Sequence, residues 1–164
     1  MDAKREHTFL FADLVGFTAF TERVGDDAAA DVAVAFQAKA GLMAARYGCD
    51  VVKNLGDAVM IHSDDAALLV ALALRLRREL EDEVWCPSLR IGVHSGSAVR
   101  RGADWYGATV NVAARVADAA GSGEILLSLR TRELISRAGV RIAERGARSF
   151  KNVTASHAVF AAAA

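Results

Sequence analysis

Asp13 closes an apolar run, Thr8-Phe9-Leu10-Phe11-Ala12, and Asp57 opens another, Ala58-Val59-Met60-Ile61. Runs of this length and composition read as strands. If the two strands are neighbours in one sheet, the carboxylates converge at one edge. Two carboxylates with no interleaved His or Cys suit a hard cation such as Mg²⁺, held together with phosphate oxygens. The same residues also suit ordinary turn or cap positions. Gly16 follows Asp13 closely and precedes Phe17-Thr18. A glycine between a strand end and a helix start lets backbone N–H groups approach an anion, although most such glycines only turn the chain. It is not a P-loop, because no Gly-Lys-Ser or Gly-Lys-Thr follows.

Lys53 lies just before a segment with turn chemistry, Asn54-Leu55-Gly56, and Asp57 just after it. Taken alone, they are a solvated lysine beside a turn aspartate. Asp104-Trp105-Tyr106-Gly107 reads as a loop leading into a helix that covers about 107–120. Asn111 and Arg115 are one helical turn apart there and share a face. Their neighbours Val110, Val112, Ala113, Ala114 and Val116 are apolar, so the helix is expected to be largely buried. The two polar residues then need polar partners, and a structural carboxylate would serve.

Several elements must position these residues. Phe17 to Arg23 reads as a short helix. Asp26-Asp27 can cap a longer one, with Val32, Phe36, Ala40, Met43 and Tyr47 forming an apolar stripe that Gly48 ends. Asp50 to Lys53 and Asp57 to Ile61 read as a hairpin. Ser63-Asp64-Asp65 caps a second long helix with Leu69, Leu72, Leu76 and Leu80 on its buried face. Ser88 to Val99 reads as a long strand on which His94 is a core histidine. Strands are also expected at 124–128, 140–145 and 156–160, with a short helix near 130–138. The expected fold is α+β, an α/β sandwich. Its ferredoxin-like βαββαβ core carries helices on one sheet face, with further C-terminal strands and helices. That architecture by itself names no function.

A length of 164 residues, 53% of them hydrophobic, fits one self-sufficient domain over 1–164, with a core of about 8–160. Lys and Arg total 20 and Asp and Glu total 20. A balanced charge offers no broad field for nucleic acid or an anionic membrane, so an anionic ligand must be held locally. Cys49 and Cys86 have neither metal nor disulfide spacing and suit a reducing compartment. The start of the chain is charged, and the apolar stretch Ala66 to Leu74 is too short to span a bilayer. A cytoplasmic protein without a membrane anchor in this chain is expected.

Three segments together resemble the class III nucleotidyl cyclase catalytic domain. They are Phe11-Ala12-Asp13-Leu14-Val15-Gly16-Phe17-Thr18, Val52-Lys53-Asn54-Leu55-Gly56-Asp57-Ala58-Val59-Met60, and Asp104-Trp105-Tyr106-Gly107-Ala108-Thr109-Val110-Asn111-Val112-Ala113-Ala114-Arg115. Arg90-Ile91-Gly92-Val93-His94-Ser95-Gly96 is similar to the family's strand before the third segment. The resemblance runs from about Thr8 to Phe160.

By position it implies that Asp13 and Asp57, with the backbone carbonyl of Leu14, hold two divalent ions, Mg²⁺ or Mn²⁺. Lys53 and Asp104 match the purine-reading pair, Asn111 the ribose-orienting residue, and Arg115 the arginine that meets the transition state. Gly16, Phe17, Thr18, Arg100, Arg101 and Lys151 lie at or near positions that reach the triphosphate. The implied enzyme is a homodimer whose sites take metals from one subunit and base, ribose and arginine contacts from the other. Adenine has an acceptor at N1 and a donor at N6, matching a lysine that donates and an aspartate that accepts. Guanylyl cyclases of the family usually carry Glu and a small or thiol residue instead. The resemblance therefore implies an adenylyl cyclase that makes cyclic AMP from ATP. Its alternatives are a guanylyl cyclase or a weak nucleotide-binding homologue. The short stretch between Val99 and Asp104 resembles the compact bacterial subgroup with a reduced dimerisation arm.

Overall fold

A computed structural model describes residues 4–135 and 139–163. In chain order these form β1 (His7–Leu14), α1 (Phe17–Val24), α2 (Asp26–Arg46), β2 (Asp50–Leu55), β3 (Ala58–Ser63), α3 (Ala66–Glu81), β4 (Leu89–Gly96), β5 (Val99–Arg101), β6 (Asp104–Tyr106), α4 (Ala108–Ala119), β7 (Ile125–Ser128), α5 (Leu129–Leu134), β8 (Arg141–Arg148) and β9 (His157–Ala163). The main sheet runs β2-β3-β1-β4-β7-β9-β8, and β5 pairs only with β6. The β2-β3-β1-β4 part is antiparallel throughout and is the expected ferredoxin-like unit. β7 joins β4 in parallel.

Alternation along β1 divides the core. Leu10, Ala12 and Leu14 pack with Phe36, Ala40 and Met43 of α2 and with Leu69, Leu72, Leu76 and Leu80 of α3. Phe9 points to the other face, where it meets Met60 and Ala113 of α4. A fully buried Leu is worth roughly 1.5–3 kcal/mol of transfer free energy, so α2 and α3 anchor one face. By length and composition α2 could cross a membrane. In the fold its Ala29, Ala33, Phe36, Ala40, Met43 and Ala44 are buried in the protein.

Helix α4 lies very close to the sheet. A Cβ on Gly92 would stand 2.1 Å from the Ala117 nitrogen, and one on Gly96 would stand 2.6 Å from Thr109 Oγ1. Gly92 lets the helix backbone rest on β4, and Gly96 leaves room for the Thr109 side chain.

Several expected boundaries move. β2 continues through Asn54 and Leu55, and Leu55 pairs with Ala58. The turn is therefore Gly56-Asp57, with Gly56 at φ 68°. The long strand expected from Ser88 to Val99 ends at Gly96, and a new one starts at Val99. Asp104-Trp105-Tyr106 is a strand in a small ribbon rather than a loop. α5 begins as expected, but the last residues of the predicted helix, 136–138, lie outside the described residues.

Candidate active site

Asp13 and Asp57 meet through backbone pairing. Leu14 N–H donates to the Asp57 carbonyl at 3.1 Å, which fastens the β2–β3 turn to the end of β1. Asp13 is opposite Ala58 in the β1–β3 register. The Asp57 carboxylate is close enough to add repulsion to Asp13. Burial raises the Asp13 carboxyl above its ordinary value, and Arg90 opposes that rise.

Arg90 was not anticipated as a neighbour of this site. It is directly opposite Asp13 in the β1–β4 register, and its Nε–H donates to Asp13 Oδ1 at 2.7 Å. The same guanidinium donates to the Asp118 carbonyl at 3.3 Å and stands 3.7 Å from the Asp118 carboxylate. Asp118 in turn accepts from Arg115 at 3.2 Å. Asp13, Arg90, Asp118 and Arg115 thus form a row of alternating charge from β1 to α4. Its only advance sign was Arg90 at the head of a family-like strand. The facing of Arg90 and Asp13 follows from strand register.

The Arg90 guanidinium sets a positive charge against Asp13. With Asp57 beside it, the pair offers two hard oxygen donors and no soft ligand, which fits Mg²⁺ or Mn²⁺.

Lys53 and Asp104 come together. Lys53 Nζ donates to Asp104 Oδ2 at 2.9 Å, with both side chains partly open to solvent. Lys53, followed by the Trp105 backbone N–H, holds the Asp104 carboxyl below its ordinary value. A β-bulge decides the direction of Lys53. Val51 pairs with Ile61, but Lys53, not Val52, pairs with Met60. The extra residue turns Lys53 onto the α4 face, where Met60 packs. The β5–β6 ribbon then brings Asp104 over it.

On α4, Asn111 is exposed and Arg115 is half-buried. The expectation that both are buried and need internal partners is corrected for Asn111. The apolar face of α4, Val112, Ala113, Val116 and Ala117, is turned to the sheet and leaves Asn111 outside. Arg115 has Asp118 as its i,i+3 partner.

The remaining candidates are spread out. Gly16 is the left-handed N-cap of α1, at φ 66°, and no side chain caps that helix. The Phe17 side chain packs against the core, and Thr18 is exposed. Arg100 lies over the Trp105 ring and donates to the Gly102 carbonyl. Arg101 donates to the Arg100 carbonyl. Lys151 is exposed in the turn before β9. None of these three basic residues bonds to Asp13 or Asp57 among the described residues. His94 is a half-buried strand histidine, its Nδ1 2.7 Å from Ser128 Oγ. Cys49 and Cys86 are free thiols, and burial pushes Cys86 up to about 11, so neither is a reactive thiolate.

Comparison with known proteins follows the same lines. The family described as the adenylate and guanylate cyclase catalytic domain matches residues 1–160. An adenylate cyclase of Streptomyces griseus is 35% identical over 117 residues, 71% of this chain and 29% of that protein. A pH-sensitive adenylate cyclase of Mycobacterium tuberculosis is 39% identical over 136 residues, 82% of this chain and 34% of that one. The chain spans about a third of the length of such relatives. Among solved structures, the adenylyl cyclase CyaB from P. aeruginosa superposes with a TM-score of 0.86 at 23% identity, covering 97% of this chain and 94% of that one. The catalytic core of a rhodopsin-guanylyl cyclase with converted specificity, solved with ATPαS, gives 0.87 at 22% identity, with 98% and 96% covered. These structural likenesses establish the fold.

Proposed function

This chain belongs to the family of adenylate and guanylate cyclase catalytic domains, and on that premise we propose that it converts ATP to 3′,5′-cyclic AMP and pyrophosphate as a homodimer. Catalytic domains of the family bind a nucleotide, use divalent metal and act as dimers. The observation that carries the choice of ATP is the Lys53–Asp104 pair, 2.9 Å apart. It presents one donor and one ionised acceptor, complementary to adenine N1 and N6. Guanine offers the reverse pattern and would leave both unpaired. Fold likeness extends to adenylyl and guanylyl cyclases alike, so the side chains and not the fold support ATP.

In this reading the ribose 3′-oxygen attacks the α-phosphorus in line, and the bond to the pyrophosphate oxygen breaks. The 3′-hydroxyl proton goes to solvent or to Asp13. Asp13, Asp57 and the Leu14 carbonyl would hold two divalent ions, Mg²⁺ or Mn²⁺, which when bound make the 3′-hydroxyl more acidic and neutralise the triphosphate. Asn111, exposed on α4, would orient the ribose of a nucleotide bound by the second subunit. Arg115 would leave Asp118 to meet charge building on the α-phosphate. The uncapped N–H groups of α1, at Gly16, Phe17 and Thr18, suit phosphate oxygens. Arg100, Arg101 and Lys151 are the further candidates for the triphosphate. Exposed Leu55, Val99 and Tyr106 around the Lys53–Asp104 pair support a partner surface there. Residues 1–164 would act as one catalytic domain, in the cytoplasm where ATP is available.

The test is to incubate the purified chain with Mn²⁺ and ATP, or with GTP in parallel, and measure cyclic product and pyrophosphate. Cyclic AMP from ATP, abolished in Asp57→Ala, is expected. Product from GTP alone would replace this reading with a guanylyl cyclase. No product at high protein concentration would leave a nucleotide-binding homologue.

A further inference from the structure

At the end of β1 away from Asp13, three electron-pair donors converge. His7 Nδ1–H donates to Asp64 Oδ1 at 2.7 Å. His62 Nε2 stands 3.1 Å from that same nitrogen and 3.4 Å from that same oxygen. All three ligand atoms lie within 4.8 Å of one another. His7 begins β1, His62 is near the end of β3, and Asp64 follows β3 directly. Strand pairing holds this geometry, with Phe9 opposite His62 and Thr8 opposite Ser63.

We propose that His7, His62 and Asp64 form a second divalent-metal site, of the Zn²⁺ type, separate from the Asp13–Asp57 pair. Zinc takes imidazole nitrogen and carboxylate oxygen at about 2.0–2.2 Å in a tetrahedron, whose ligand atoms are then about 3.3 Å apart. The observed edges are 2.7, 3.1 and 3.4 Å, so the His7–Asp64 edge has to open by about 0.6 Å and the His7–His62 edge by about 0.2 Å. The donor set of two imidazoles and one carboxylate excludes Mg²⁺ as the preferred ion and suits Zn²⁺. A cation at the centre of the cluster would accept a lone pair from each of the three atoms.

The surroundings also fit. Asp50 stands 3.8 Å from His62 Nδ1, the nitrogen that a metal on Nε2 leaves free. It lies on the side where an outer carboxylate orients a ligating histidine, beyond direct hydrogen-bond distance. Arg5 donates to the other oxygen of Asp64. The Trp105 ring centroid is 4.4 Å from each histidine ring and stacks on His62 at 23°. Trp105 follows Asp104, so the ion would sit under the ribbon that carries the Lys53 partner and tie that ribbon to the β2–β3 edge.

The test uses the full chain without a histidine tag, stripped with chelator and titrated with ZnCl₂ by calorimetry. Trp85→Phe leaves Trp105 as the only indole, and its emission is followed in the same titration. One Zn²⁺ per chain and a change in Trp105 emission are expected. His62→Ala and Asp64→Asn should each weaken binding by more than the roughly 10–100-fold typical of losing an outer-sphere partner. Asp64 is partly exposed, so Asp64→Asn reports even if His62→Ala folds poorly. Asp57→Ala should keep the zinc stoichiometry, which separates this site from the proposed cyclase metals. No saturable Zn²⁺ binding, or binding lost in Asp57→Ala and retained in Asp64→Asn, would overturn the assignment whether or not the chain makes cyclic AMP.

Discussion

Arg90 Nε–H donates to Asp13 Oδ1 at 2.7 Å from the directly opposite position of the neighbouring strand. The guanidinium thus compensates one of two carboxylates that repel each other. Removing it with Arg90→Met leaves Asp13 partly buried beside Asp57. The metal-free protein should lose about 1–3 kcal/mol, between the values for exposed and fully buried pairs. Mn²⁺ should restore it, so the Mn²⁺-induced rise in Tm should be larger in Arg90→Met than in the wild type. Equal rises in both proteins would show that Arg90 does not substitute for a metal.

The proposed purine contacts can be separated from stability. If Asp104 accepts from adenine N6 as proposed, Asp104→Ala should lower kcat/KM for ATP about 10–100-fold, with a smaller change for GTP. Tm should barely move, because the Lys53–Asp104 pair is open to solvent. A uniform loss for both nucleotides would assign Asp104 a merely structural part.

The proposed composite dimer site makes a quantitative demand. Asp57→Ala and Arg115→Ala should each be inactive alone or reduced about 100–1000-fold. Mixed in equal amounts, they should recover roughly a quarter of wild-type activity, since half the dimers are mixed and each then has one intact site. Failure to recover activity from two folded, dimer-competent variants would place all contacts in one subunit.

His94 makes stability depend on pH. Burial, and then repulsion from His157, push this histidine down to about 4 from 6.5. Between those values the unfolded chain binds the proton and the native state does not, so stability is full above about pH 6.5 and falls as pH falls. The loss is on the order of 3 kcal/mol once pH reaches the native value. His94→Gln can keep the bond to Ser128 and should flatten the unfolding free energy between about pH 5 and pH 6.5. An unchanged slope in chemical denaturation would assign the pH dependence elsewhere.

The packing of α4 on β4 is testable at one atom. Gly92→Ala would set a Cβ 2.1 Å from the Ala117 nitrogen, and backbone on both sides must move. A loss of about 3 kcal/mol or more is expected. Residual activity should fall further than Tm predicts, since α4 carries Asn111 and Arg115. Wild-type Tm in Gly92→Ala would mean that the helix can lift off freely.

The sequence alone carried the helices and most of the strands, because their apolar residues recur with the period of the element they form. Phe36, Ala40 and Met43 on α2, and Leu69, Leu72, Leu76 and Leu80 on α3, are buried as their spacing requires. It also carried the candidate residues, since the three family-like segments each keep their acidic, basic or amide side chains at family positions. Tertiary structure decided which of them meet. Asp57 reaches Asp13 because a turn is hydrogen-bonded to the end of another strand. Lys53 faces Asp104 because one extra residue in β2 reverses its direction. Arg90 and Asp118 join the row, and His7, His62 and Asp64 converge, through strand register and helix placement. Periodicity along a chain reports which face of an element is buried. It does not report which distant residue stands opposite, and contacts such as Arg90–Asp13 exist only once the sheet has chosen its register.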